Sequence, residues 1–125
     1  MLSDSDIAKL SFGRIVKAVV LNSTENHPVE PHYGVMLDSN EAIREHDKFF
    51  LAIISTNEKI DSRFLVPVPA RTGLTGNIVC SWCPSDPIDL AAITEVHPHT
   101  LSDSEMAKVL RMIRAYRDFL KSTQS

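Results

Sequence analysis

Cys80-Ser81-Trp82-Cys83 and His97-Pro98-His99 are the first residues whose types and spacing suggest chemistry, because a two-residue gap between thiolates is the spacing of zinc and redox sites. In a continuous strand, however, Cys80 and Cys83 point to opposite faces, and the His-x-His pair lacks the helical spacing usual for zinc histidines. The favoured reading is two structural cysteines with no metal and no cofactor. A structural zinc site is the alternative, and the distances among Cys80, Cys83, His97 and His99 decide it. Asp86 and Asp89 form an acid pair, but they flank Pro87 and follow Pro84, a context of turn chemistry rather than of general acid and base. The glycines Gly13, Gly34, Gly73 and Gly76 make no phosphate-cradling loop, and no Gly-x-Ser-x-Gly elbow is present. Nucleotide hydrolases and α/β-hydrolases are thereby disfavoured.

The elements that must hold any site are mostly strands. β-branched and apolar runs bounded by turn residues predict strands over Ile15 to Leu21, Gly34 to Leu37, Phe49 to Ser55, Phe64 to Pro69 and Ile78 to Trp82. Phe49-Phe50-Leu51-Ala52-Ile53-Ile54 is apolar at consecutive positions, so both faces of that strand must be covered, one of them by a helix or a second subunit. The connections Asn22 to Pro31 and Asn40 to Lys48 are polar and read as candidate binding loops. Ile88 to Val96 fits neither period well and has no assignment.

Ser3-Asp4-Ser5-Asp6 before Ile7 predicts a capped helical segment over residues 3–10. Nearly the same words return at Leu101-Ser102-Asp103-Ser104-Glu105, where Ser102 and Glu105 have capping-box spacing. The echo is too short for a structural repeat and reads as one capping solution used twice. The second cap opens an amphipathic helix over about 103–120, with Met106, Val109, Leu110, Ile113, Tyr116 and Leu120 on its apolar stripe. Lys108, Arg111, Arg114, Arg117 and Lys121 form a basic ladder that reads as a solvated face complementing the helix dipole, with RNA or partner contact as the alternative.

At 125 residues, 43% hydrophobic and 23% charged, the chain is expected to form one globular domain over 1–125. No window approaches the length of apolar sequence that spans a bilayer, and the acidic N-terminus is unlike a secretory signal. Two cysteines cannot build a disulfide framework, so a cytoplasmic protein without membrane contact is expected. The net charge of −3 supplies no global attraction to nucleic acid, so any such binding must come from a local basic patch.

The distributed pattern is the most informative. Gly13-Arg14-Ile15-Val16-Lys17-Ala18-Val19-Val20 opens a strand, and His32-Tyr33-Gly34-Val35-Met36-Leu37 follows a polar loop. Ile53-Ile54-Ser55-Thr56 ends a strand in two hydroxyls; then come Thr72-Gly73-Leu74-Thr75-Gly76-Asn77 and the Leu101-Ser102 helix start. In order and spacing, over about residues 11–120, this resembles the MazF/PemK-type toxins. The resemblance implies a mostly β fold with α, an SH3-like small β-barrel closed by the C-terminal amphipathic helix. It further implies a homodimer, a cognate antitoxin, and metal-independent cleavage of single-stranded RNA. His32-Tyr33 stands where the family has a catalytic Arg-Pro pair, and Arg14 stands where an acid is common.

RNA cleavage without metal uses the 2′-hydroxyl as nucleophile, and needs a base, an acid for the departing oxygen and donors for the charged phosphorane. The resemblance thus nominates His32 for proton transfer, Ser55 and Thr56 as hydroxyl donors and Arg14 as a balancing charge. Lys17, Asn22 and His27 are the RNA-binding candidates. The ordinary alternatives are a loop histidine, hydrogen-bonding hydroxyls at a strand end and solvated strand charges. An alternative function is a catalytically impaired binding module on the same barrel, recognising a protein partner or nucleic acid.

Overall fold

The computed structural model describes residues 2–19, 31–56, 62–82 and 87–123. Ser3 opens helix α1 (Asp4–Lys9): its hydroxyl accepts from the Asp6 N–H at 3.1 Å, and its own N–H donates to the Asp6 carboxylate at 3.3 Å. Strands β1 (Arg14–Val19) and β2 (Pro31–Met36) follow, then helix α2 (Asn40–His46) and strands β3 (Lys48–Phe49) and β4 (Leu51–Ser55). Next come β5 (Leu65–Pro67), β6 (Asn77–Val79), β7 (Ile88–Asp89) and β8 (Ile93–Thr100), before helix α3 (Asp103–Thr123).

Six strands form one antiparallel sheet in the order β5-β6-β4-β2-β1-β8, and β3 pairs with β7 separately. The expected barrel closure is not made among the described residues, since β5 and β8 lie at opposite ends of the ladder. The fold is nonetheless mostly β, an antiparallel sheet covered by a C-terminal helix. No helix among the described residues is long and apolar enough to cross a membrane.

Alternation along the strands sorts the interior into two clusters. Ile15, Val35, Ala52, Ile54 and Ile78 pack with Met106, Val109 and Ile113 of α3. Val16, Ala18, Met36, Leu51 and Ile53 pack with Leu10, Ile43 and Phe49 on the other side. The doubly apolar β4 is explained by these two layers, both supplied by the same chain.

Several sequence expectations change. The stretch 40–48 contains α2, capped by the Ser39 hydroxyl and closed by Asp47 at φ 53°, whose N–H donates to the Ile43 carbonyl. Ile43 is its only buried residue, so no apolar stripe announces it. The strand predicted to reach Trp82 stops at Val79, and Cys80–Trp82 is a 3-10 turn. The unassigned stretch yields β7 and the start of β8; β8 continues to Thr100 although it contains Pro98. Proline is tolerated because, among the described residues, β8 pairs with β1 alone and stands at the end of the sheet. In α3 the Ser102 box forms as expected, with Glu105 N–H to Ser102 Oγ at 3.2 Å and Ser102 N–H to Glu105 Oε1 at 2.8 Å. Leu110 leaves the predicted stripe and is 42% exposed.

Candidate active site

β2 and β4 pair antiparallel as Met36 with Leu51, Val35 with Ala52 and Gly34 with Ile53. The paired ladder ends there; its register extended by two residues lines His32 up with Ser55. Both side chains then share the face of Gly34, Met36, Leu51 and Ile53, because strand side chains alternate. His32 and Ser55 are half-buried, and Thr56 is exposed just beyond the strand end. On its other side β4 pairs with β6, with Ser55 in register with Asn77. The extended register thus puts an ionisable imidazole and the Ser55 hydroxyl on one sheet face, with Thr56 next along the chain beyond the strand end.

The remaining nominated residues go elsewhere. Arg14 registers with Thr100, whereas Ala18, four residues along β1, registers with His32. That separation is roughly 13 Å of strand. The Arg14 guanidinium donates to the carbonyls of Lys9 at 2.8 Å, His97 at 3.2 Å and Pro98 at 3.1 Å. It therefore ties the end of α1 to β8, and is not assembled with His32 and Ser55. Asn22 and His27 lie outside the described residues.

Lys17 points to the opposite face of the sheet from His32. Its ammonium lies 5.1 Å from the centre of the Tyr33 ring, and the Tyr33 hydroxyl donates to Glu95 at 2.8 Å. That hydrogen bond to a carboxylate raises the phenol above its ordinary pKa, with partial burial and the Glu95 charge acting in the same direction. His97 meets Tyr33 edge to face at 6.0 Å and lies 5.2 Å from the His99 ring, whose residue's N–H donates to His97 Nδ1 at 3.2 Å. Burial is the main cause that lowers the His97 pKa, and the neighbouring His99 adds to it. Sequence reasoning missed this Lys17, Tyr33, Glu95, His97 and His99 cluster because Glu95 sat in the unassigned stretch. Alternating polar residues at Glu95, His97 and His99 are the signal that could have found it.

The zinc alternative does not assemble from what is described. The Cys80 thiol is buried under α3 and donates to the Val109 carbonyl at 3.7 Å, while His97 and His99 adjoin Tyr33. Among the described residues no three His, Cys, Asp or Glu side chains gather to hold a metal ion. Cys83 and Asp86 lie outside the described residues. A separate groove of about 520 Å³ runs beside α3, where Leu37, Phe50, Leu110 and Leu120 meet Asp38 and Arg117. Phe50 and Leu110 are the exposed large hydrophobic side chains of the described residues, at 38% and 42%.

No family model matches the sequence, and no curated protein sequence matches it. Solved structures do. MazF (Form-I) from Deinococcus radiodurans superposes with a TM-score of 0.73 at 13% identity, over 87% of this chain and 96% of that one. A MazE-MazF structure (Form-III) from the same organism gives 0.69 at 13% identity over the same shares. An endoribonuclease in complex with its cognate antitoxin from a Mycobacterial species gives 0.63 at 9% identity, over 85% of this chain and 92% of that one. The chain has the fold of the MazF-type toxins along nearly its whole length.

Proposed function

We propose that this chain, built on the MazF fold, is a toxin-like endoribonuclease of a type II toxin–antitoxin pair that cuts single-stranded RNA without a metal ion. The observation that supports the reading is the β2 and β4 register, whose extension beyond the Gly34 and Ile53 pair lines His32 up with Ser55 on that fold. In the mechanism the ribose 2′-hydroxyl attacks the adjacent phosphorus and the 5′-oxygen of the next nucleotide leaves, giving a 2′,3′-cyclic phosphate. His32 takes the 2′-hydroxyl proton and returns it to the departing 5′-oxygen or, when charged, offsets the phosphorane while solvent water carries that proton from the 2′- to the 5′-oxygen; Ser55 or Thr56 donates a hydrogen bond to a phosphorane oxygen. Asn22 and His27 guide the RNA strand, and Lys17, whose ammonium sits over the Tyr33 ring on the other sheet face, contributes charge at a distance.

The protein acts as a cytoplasmic homodimer silenced by a cognate antitoxin. The groove beside α3 supports pairing of two copies: its exposed Phe50 and Leu110 need cover, and it offers both an acid, Asp38, and a base, Arg117. A two-fold partner presents each charge with its opposite.

The test is incubation of purified protein with mixed RNA, with and without a chelator. Cleavage that survives the chelator supports the proposal. Binding of RNA or of a protein partner without cutting favours the second reading, a binding module, which draws on histidine standing where the resemblance places the arginine.

A further inference from the structure

The turn that leads into β6 lies against the end of β4. Gly76 has φ +108°, a backbone conformation that side-chain-bearing residues rarely adopt. A Cβ on Gly76 would stand 2.5 Å from the Ser55 carbonyl oxygen, 2.9 Å from its carbonyl carbon and 3.1 Å from Thr56 Cγ2. Two of those atoms are backbone, which cannot swing aside as the tip of a long side chain can. Nor can the turn withdraw freely. Asn77 is paired with Ser55 on one side and Pro67 on the other, and the Gly76 carbonyl accepts from the Val68 N–H at 3.2 Å. Gly73, in the same turn, has φ +76° but nothing within 4 Å of its Cβ position. Gly73→Ala therefore reports positive-φ strain without contact, whereas a side chain at 76 meets both strain and Ser55 and Thr56.

We infer that Gly76 is a positioning residue for the Ser55 and Thr56 hydroxyls: by lacking a side chain it lets the turn seat against the Ser55 carbonyl and the Thr56 methyl and so fixes where both hydroxyls stand. This rests on the reading of Ser55 and Thr56 as part of an RNA-cleaving site. A side chain at 76 must displace the Ser55 backbone, and a shift well under the width of an atom is enough to misalign a donor with the phosphorane.

The experiment compares Gly76→Ala, Gly76→Asn and Gly73→Ala with wild type, using a fluorogenic single-stranded RNA oligonucleotide and recording melting temperature alongside kcat and KM. Gly76→Ala is expected to lower kcat about 10- to 100-fold with KM within about 3-fold. Gly73→Ala, which carries strain alone, is expected to lose stability but keep kcat within about 3-fold of wild type. Asparagine favours the left-handed region more than alanine but does not reach φ +108° and still brings a Cβ, so Gly76→Asn should follow Gly76→Ala. Equal kcat losses at 73 and 76, a change in KM alone, or wild-type kcat in Gly76→Asn each overturn the inference. So does failure of both position-76 variants to fold, which would make the glycine a folding requirement. If the wild type does not cut, the functional reading falls and takes this inference with it; if the wild type cuts and Gly76→Ala matches it, only the inference falls.

Discussion

Arg71 and Glu105 hold each other through two parallel hydrogen bonds, Nη1 to Oε2 at 2.6 Å and Nη2 to Oε1 at 2.5 Å, joining the turn before β6 to the first turn of α3. The same carboxylate closes the Ser102 capping box, and Arg71 also donates to the Thr100 carbonyl. Chiefly through Arg71, and with the Ser102 donors adding to it against the opposing effect of burial, the Glu105 carboxyl is lowered from 4.5 to about 2. A lowered carboxylate pKa stabilises the fold above its unfolded value and loses that contribution as pH falls through its folded value. Urea midpoints should therefore show wild type exceeding Glu105→Gln at pH 7, with the gap closing between about pH 4.5 and about pH 2. A gap that is unchanged at pH 2 would refute the role of the ion pair.

Position 32 gives a test of mechanism. An arginine keeps its charge at all working pH values, whereas histidine side chains titrate near neutrality. If His32 serves as a cation, cleavage should decline as pH rises from 5 to 9, and His32→Arg should remove most of the decline. If it serves as a general base, cleavage should instead rise over that range and His32→Arg should be inactive. Wild-type rates in His32→Ala throughout would remove His32 from the site.

The chemistry itself is read from the substrate. A single 2′-deoxy nucleotide at the scissile position should abolish cutting there, and the products should end in 2′,3′-cyclic phosphate. Cutting of the deoxy substrate, or a requirement for metal, would rule out attack by the 2′-hydroxyl.

Arg14 separates structure from catalysis. Arg14→Met removes donors to the Lys9, His97 and Pro98 carbonyls and should cost about 1–3 kcal/mol in chemical denaturation. Its kcat, measured well below the melting temperature, should stay within about 3-fold of wild type, because the sites are some four strand positions apart. A 100-fold loss of kcat in a folded variant would return Arg14 to the catalytic set.

Assembly is tested at the groove. Wild type at micromolar concentration should sediment at about twice 13.9 kDa, and Leu110→Arg at 13.9 kDa, since a charge added to the apolar lining of the groove is costly for a second copy to bury. A monomeric wild type would remove the dimer, while a dimeric Leu110→Arg would move the interface to another surface.

Much of the secondary structure was legible because its causes are local. Ser3 with Asp6 and Ser102 with Glu105 are three residues apart, so each cap closes within one turn whatever the rest of the chain does. The strand at Leu51–Ser55 is carried by its own unbroken apolar run. By contrast α2 has one buried residue and β8 contains a proline; each is held by what packs or pairs with it, Ile43 by the second cluster and β8 by β1. Local patterning underdetermines such elements.

The sequence by itself named the candidate groups, the hydroxyls at the end of the fourth strand and the histidine before Gly34, together with the capped helix that covers the sheet. Only the tertiary structure decided who meets whom. Strand register is set by long-range pairing, and one step along a strand exchanges one face for the other. That is why neighbouring His32 and Tyr33 part company, His32 turning to the face of Gly34 and Met36 while Tyr33 joins Lys17 and Glu95 behind it. It is also why Arg14, only three residues before Lys17, spends its guanidinium on the carbonyls of Lys9, His97 and Pro98: a charged fork takes the donors' partners that the fold brings within reach, and those partners lie up to 84 residues away along the chain.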